Sequence, residues 1–253
     1  MPIQYARSLA GHDRTPSANH HLGVALAFVA GAINAGGFLA VGQYTSHVTG
    51  IVSGVADHLV LGEVMLAMAG LGAVLSFLLG AACTAVMINY VRRRGLRCEY
   101  ALPLLAEAVL LLAFGVLGAR LAIAGAVAIP LTVMLLCFML GLQNAVITKV
   151  SRAEIRTTHM TGTVTDIGIE LGKLLYWNAD RGAVQPKVLA NRRRLALLAS
   201  LLVAFLAGGM AGALGFKHLG YLSTVPLAAL LGLLAIVPTV DEAVRLFARH
   251  SQG

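Results

Sequence analysis

Two short stretches hold the residues best suited to chemistry. Thr45-Ser46-His47-Val48-Thr49-Gly50 and Thr157-Thr158-His159-Met160-Thr161-Gly162 share one order of residue types. An imidazole changes charge near physiological pH and serves in proton relays. Ser and Thr side chains cap helix starts by accepting bonds from free backbone N–H groups, and Gly lets backbone or ligand come close. A helix start carries about +0.5 charge, so two such starts meeting inside a bundle would form a site for an anionic or polar solute. The plainer reading is a pair of capped re-entrant or interfacial helices without a ligand.

Three more polar groups stand inside apolar runs. Asn34 and Asn144 precede the two stretches. An amide in hydrocarbon needs partners, because an unpaired polar group is costly. Each Asn therefore either bonds its adjacent motif helix or coordinates solute. Glu107 is the third, and a charge at such a depth costs about 2.5–3.5 kcal/mol on insertion scales. It should face the bundle, either protonated or paired, with His47, His159 and Arg156 as candidate partners; the alternative is a position near the interface. The expected solute-binding set is Asn34, Thr45, His47, Thr49, Gly50, Asn144, Thr157, His159, Thr161 and Gly162. The expected proton-coupling set is Glu107, His47 and His159. Asp166 and Glu170 share a helix face four residues apart, with Lys173 three beyond Glu170, and read as a solvated surface; Asp57 and His58 read similarly.

The polar stretches belong to an internal repeat. Gly31-Ala32-Ile33-Asn34-Ala35 recurs as Gly141-Leu142-Gln143-Asn144-Ala145, upstream of the His motif in both copies. Each copy leaves an uncharged run, passes through the motif and enters a further helical stretch, and two more apolar runs follow.

Composition dictates where these elements sit. Of 253 residues 58% are hydrophobic and only 12% charged, against roughly 25% in a soluble domain. Mean hydropathy is +0.82. A disordered chain, a coiled coil and a nucleic-acid-binding tail are excluded, and the composition argues against a soluble enzyme of ordinary composition. Uncharged runs at 22–42, 64–90, 121–148, 195–216 and 219–240, with 100–119 broken only by Glu107, are long enough to cross hydrocarbon. The expectation is an all-α membrane protein with six transmembrane helices, arranged as two inverted three-span repeats, each with an extra short motif helix.

Charge sets the orientation. In the six-span scheme, Lys and Arg fill the N-terminal tail (Arg7, Arg14), the second and fourth connections and the C-terminal tail; only Arg120 and Lys217 of the 19 lie in the alternate loops. This asymmetry predicts both termini in the cytoplasm. It also accounts for the net charge of +8 without nucleic acid. An odd number of crossings per half reverses the second half, and many secondary transporters are built so. The expected layout is a cytosolic tail at 1–20, one membrane domain at 21–241 (repeats 21–120 and 121–241), and a second tail at 242–253. Gly208 with Gly212, and Gly72 with Gly80, read as close-packing faces. Tyr176 and Trp177 read as an interfacial anchor. The cysteines, Cys83, Cys98 and Cys137, show no metal spacing, and two histidines alone fall short of a zinc site. No cofactor and no metal are expected.

The paired segments 31–50 and 141–162 resemble the signature of the YoaK family, a bacterial multi-pass inner-membrane family without an assigned function. The resemblance spans roughly residues 22–240 and rests on the Asn-Ala and Ser/Thr-His-x-Thr-Gly elements. It implies a six-span plasma-membrane protein and brings no substrate. The reading that follows is a transporter or permease for a small anionic solute, coupled to protons, with the bilayer and the solute as partners and a homo-oligomer as a further expectation. Two alternatives stand beside it. One is an intramembrane enzyme, although HExxH and GxSxG are absent. The other is an accessory or scaffolding membrane protein.

Overall fold

The computed structural model describes residues 16–96, 98–120, 128–151, 153, 155–178 and 187–250. The basic tail with Arg7 and Arg14, and Arg97, Arg152 and Arg181, lie outside these residues, as does 121–127 of the fourth apolar run. The helices are α1 (Pro16–Val41), α2 (Val48–Val60), α3 (Val64–Arg93), α4 (Ala101–Ala119), α5 (Ala128–Val150), α6 (Met160–Leu175), α7 (Arg192–Leu219) and α8 (Thr224–His250), with a 3-10 turn at Gly220–Ser223. No strand occurs among the described residues.

Five stretches are long and apolar enough to cross a membrane: Ser17–Val41, Val64–Arg93, Ala101–Ala119, Ala128–Val150 and Arg192–Ile236. The last has 45 residues and contains the 3-10 turn, where Gly220 takes a φ of +59°. A left-handed φ comes at little cost only in Gly, so the chain breaks there. Burial supports a lipid setting. Only 22% of the apolar window of α3 is buried, and Leu75, Leu78 and Leu79 are more than half exposed. Apolar faces of this extent do not stand in water on a monomeric soluble protein. The chain is a multi-helix membrane protein.

Helices of one sequence repeat pack chiefly on helices of the other. α1 lies along α7, and α3 along α5, while α4 meets α8 and α1 meets α5. Glycines set the two long crossings. A Cβ on Gly31 would overlap the Phe205 carbonyl oxygen, and one on Gly208 the Phe28 carbonyl oxygen. The second crossing repeats this: Gly141 abuts the carbonyl of Phe77, and Gly80 that of Phe138. Gly212 is pressed on Ala32, and Gly72 on Met134. The small-residue faces expected from sequence are therefore the helix contacts, as lipid-embedded packing requires.

The motif helices are short. α2 has 13 residues and α6 has 16, about 20 and 24 Å at 1.5 Å rise, less than a ~30 Å hydrocarbon core. α2 packs on α3, and α6 on α7. Tyr176 and Trp177 follow α6 and are exposed. The first helix begins at Pro16, inside the expected 1–20 tail, and α8 continues to His250, through most of the expected 242–253 tail.

Candidate functional site

Each polar stretch forms the break between a long helix and its motif helix. In the second repeat, Asn144 holds the break closed. Its Nδ2 donates to the Leu140 carbonyl at 2.8 Å and to Thr158 Oγ1 at 2.7 Å, and Thr157 Oγ1 donates to its Oδ1 at 3.4 Å. In the first repeat the corresponding set is sparser. Asn34 Oδ1 accepts the Ser46 backbone N–H at 3.2 Å. Thr45, the counterpart of Thr157, is fully buried and its hydroxyl has no hydrogen-bond partner. The Thr45 carbonyl accepts the Cys137 thiol at 3.4 Å. Both Asn residues thus bond their own motif segment.

The expected Ser/Thr capping does not occur. The N-cap residues are His47 and His159, and neither makes a side-chain cap bond. Thr163 and Thr165 donate instead to carbonyls four residues back, His159 and Thr161. The glycines serve the histidines. A Cβ on Gly50 would stand 2.6 Å from His47 Nδ1, and one on Gly162 would overlap the ring of His159. Each imidazole folds over the first turn of its helix, and only a residue without Cβ leaves room. Thr49 and Thr161 are exposed on the same turns.

The two histidines occupy different cavities, which corrects the expectation that the polar segments meet at one site. His47 lines a cavity of about 500 Å³ between α2 and the starts of α3 and α5, with Tyr44, Gly50, His58, Gly70 and Pro130. Among the described residues its walls carry no Lys or Arg. His159 lines a cavity of about 740 Å³ between α6 and the start of α7, with Arg156, Gly162, Asp166, Arg193 and Arg194. Among the described residues the two share no lining residue. Sequence reading picked out His159 and Arg156 but assigned Arg193 and Arg194 to topology alone. Their place in the first turn of α7, the helix that packs on α6, was the signal that pointed to the wall.

The acidic residues of α6 differ from a solvated face. Asp166 pairs with Arg194 at 2.8 Å. Glu170 does bond Lys173, at 2.9 Å, but its side chain is only 2% exposed because the chain entering α7 lies over it. The Asn191 backbone N–H donates to Glu170 Oε2 at 2.7 Å. Lys173 and then that N–H hold the Glu170 carboxyl below its ordinary range. On α2, His58 pairs with Glu63 rather than standing free.

Glu107 pairs with none of the three partners expected. It is wholly buried on α4, and both carboxyl oxygens lack hydrogen-bond partners. The polar side chain that approaches it is Gln143 of α5, itself wholly buried and unbonded. Among the described residues, no group of three or more His, Cys, Asp or Glu could hold a metal ion.

A lipid-facing bundle with two polar helix breaks and a cavity at each defines a polytopic helical membrane protein. The chain belongs to the family described as proteins of unknown function, DUF1275, whose model matches residues 22–237. Searches of curated proteins and of solved structures gave no match.

Proposed function

We propose that the protein is a permease of the bacterial inner membrane that moves a small anionic solute. The carrying observation is the cavity at His159, where Arg156, Arg193 and Arg194 line about 740 Å³ around a helix start. Volumes of roughly 300–1,000 Å³ suit small ligands, and Arg suits planar anions.

In this reading the chain crosses six times, as two inverted three-span repeats. A 45-residue apolar run would extend about 68 Å as one helix, more than twice a ~30 Å core. Gly220 divides it into two crossings. The Lys and Arg asymmetry then places both termini in the cytoplasm. The first break faces the periplasm and the second the cytoplasm. The His47 and His159 cavities become the two ends of an alternating path, and the reciprocal packing of α1 on α7 and α3 on α5 is what a pseudo-twofold axis in the membrane plane produces. The loosely bonded first break, with Thr45 unsatisfied, is the half that rearranges.

The test is reconstitution. Proteoliposomes are loaded with one anion from a panel of inorganic anions and small carboxylates, and counterflow is read for each. The expected result is uptake of at least one anion, reduced by His159→Ala and Arg194→Ala while the variants stay monodisperse. Absence of flux for the whole panel with folded protein overturns the reading. Single cysteines at Ser46 and Thr158 should label from opposite sides of the membrane.

A further inference from the structure

The Glu107–Gln143 pair is a buried, unbonded polar pair that the repeat does not duplicate among the described residues. Gln143 occupies the place that Ile33 holds in the first repeat, one residue before the Asn in both copies. Ile33 and Gln143 are both fully buried. In the second repeat α8 stands where α4 stands in the first, and its sequence carries no Asp, Glu, Lys or Arg from Thr224 to Val240. One half of the bundle is therefore built with apolar residues at the places where the other half has a carboxyl and an amide. Packing alone does not call for them, and four buried polar atoms left unbonded oppose folding.

The surroundings determine the chemical form of the carboxyl. α4 packs on α5, α8, the 3-10 turn and, more lightly, α3. The described charged side chains on those helices are Arg92 and Arg93 at the end of α3, Lys149 at the end of α5 and Glu242 in the last third of α8. The remaining described titratable groups are thiols and phenols, Cys83 and Tyr90 on α3, Cys137 on α5 and Tyr221 in the turn. None of these charges neutralises Glu107, whose environment consists of burial and Gln143. An ionised, unpaired carboxylate is not tolerated in such a place, whereas a neutral acid is.

We propose that Glu107 and Gln143 form an intramembrane proton-binding site. The carboxyl oxygen takes up one proton to become a neutral acid and releases it when water or a cation reaches the pair, and the Gln143 amide orients the acid. Gln143 directly precedes Asn144, the residue that ties the second break shut. Movement of that break therefore shifts Gln143 and exposes or buries the acid. This deepens the permease reading by naming its coupling ion, and the coupling, though not the proton site, rests on that reading.

The test reads the acid directly. Infrared spectra of folded, reconstituted protein should contain the carbonyl stretch of a protonated carboxylic acid at about pH 8, where ordinary carboxyls of pKa ~4.3 are ionised. The isosteric Glu107→Gln should remove it. Dicyclohexylcarbodiimide, which reacts with protonated carboxyls in apolar surroundings, should modify the peptide carrying Glu107 about tenfold more than the one carrying Asp166 at that pH. Gln143→Ile, which installs the first repeat's residue, should keep the fold and shift the pH dependence of both signals. An identical infrared spectrum in wild type and Glu107→Gln overturns the site. So does a lack of adduct at Glu107 when the unfolded protein labels in acid. A positive acid signal without flux of any anion overturns the permease reading and leaves the site standing. A positive acid signal with flux that keeps its response to a pH gradient in Glu107→Gln overturns the coupling.

Discussion

Gly31 of α1 and Phe205 of α7 meet so closely that a Cβ on the glycine would overlap the Phe205 carbonyl oxygen. Gly141 and Phe77 meet in the same way at the other crossing. The backbones themselves form these contacts, so no side chain can swing aside. Gly31→Ala or Gly141→Ala should cost about 1–3 kcal/mol, the usual range for overpacking. Thermal unfolding in detergent reads this. Gly54→Ala is the control, because a Cβ there meets nothing within 4 Å; it should be neutral or gain about 0.5–1 kcal/mol from helix propensity. Equal effects at Gly31 and Gly54 would contradict the close crossing.

The two asparagines should not be equivalent. Asn144 makes bonds to Leu140, Thr158 and Thr157, whereas Asn34 accepts from Ser46. Asn144→Ala should destabilise by about 1–3 kcal/mol, the cost of leaving buried partners unsatisfied, and Asn34→Ala by less. Chemical unfolding of both variants under one condition makes the comparison. A larger loss at Asn34 would contradict the asymmetry of the two breaks.

The glycine under each imidazole offers a way to move the ring without removing it. Gly162→Ala should displace His159 from the first turn of α6, and Gly50→Ala should do the same to His47 on α2. Anion counterflow should fall in both variants with little change in thermal stability, since each ring stands at an exposed position. Loss of stability without loss of flux would make the rings structural.

Acid should weaken the seat of α6 against the chain entering α7. The Glu170 carboxyl is held below its ordinary value by Lys173 and the Asn191 N–H. Its contribution is therefore present above the unfolded pKa of ~4.3 and disappears as pH falls through the lower folded value. Wild type should melt higher than Glu170→Gln at neutral pH, and the gap should close only in strong acid. A gap that is constant with pH would show that the carboxylate charge is not involved.

Much of this architecture was legible as sequence. Hydropathy located the long helices, and spacing alone placed Gly208, Gly212, Gly72 and Gly80 at contacts. Helix ends were less legible, because hydropathy marks the apolar part of a helix and not its full length. α7 begins at Arg192 rather than Leu195, since Arg is a good helix former and Asn191 caps the start by accepting the Arg194 N–H at 3.0 Å. The site was read less well. Ser and Thr predicted caps, but the positions before α2 and α6 belong to histidines. Gln143 escaped notice although its alignment with Ile33 marked it, a polar residue set against an apolar one within a repeat. The separation of the two histidines depends on which helices cross, and no local pattern encodes that.

The exchange of partners between halves bears on how the chain matures. α1 waits for α7, and α3 waits for α5. While the ribosome is still making the first half, the glycine face of α1 has only lipid, or a holding factor, to rest against. Neither half is a finished unit that could dock later as a prefabricated block; the two interlock as they are inserted. Halves expressed as separate polypeptides in one cell should therefore accumulate only together.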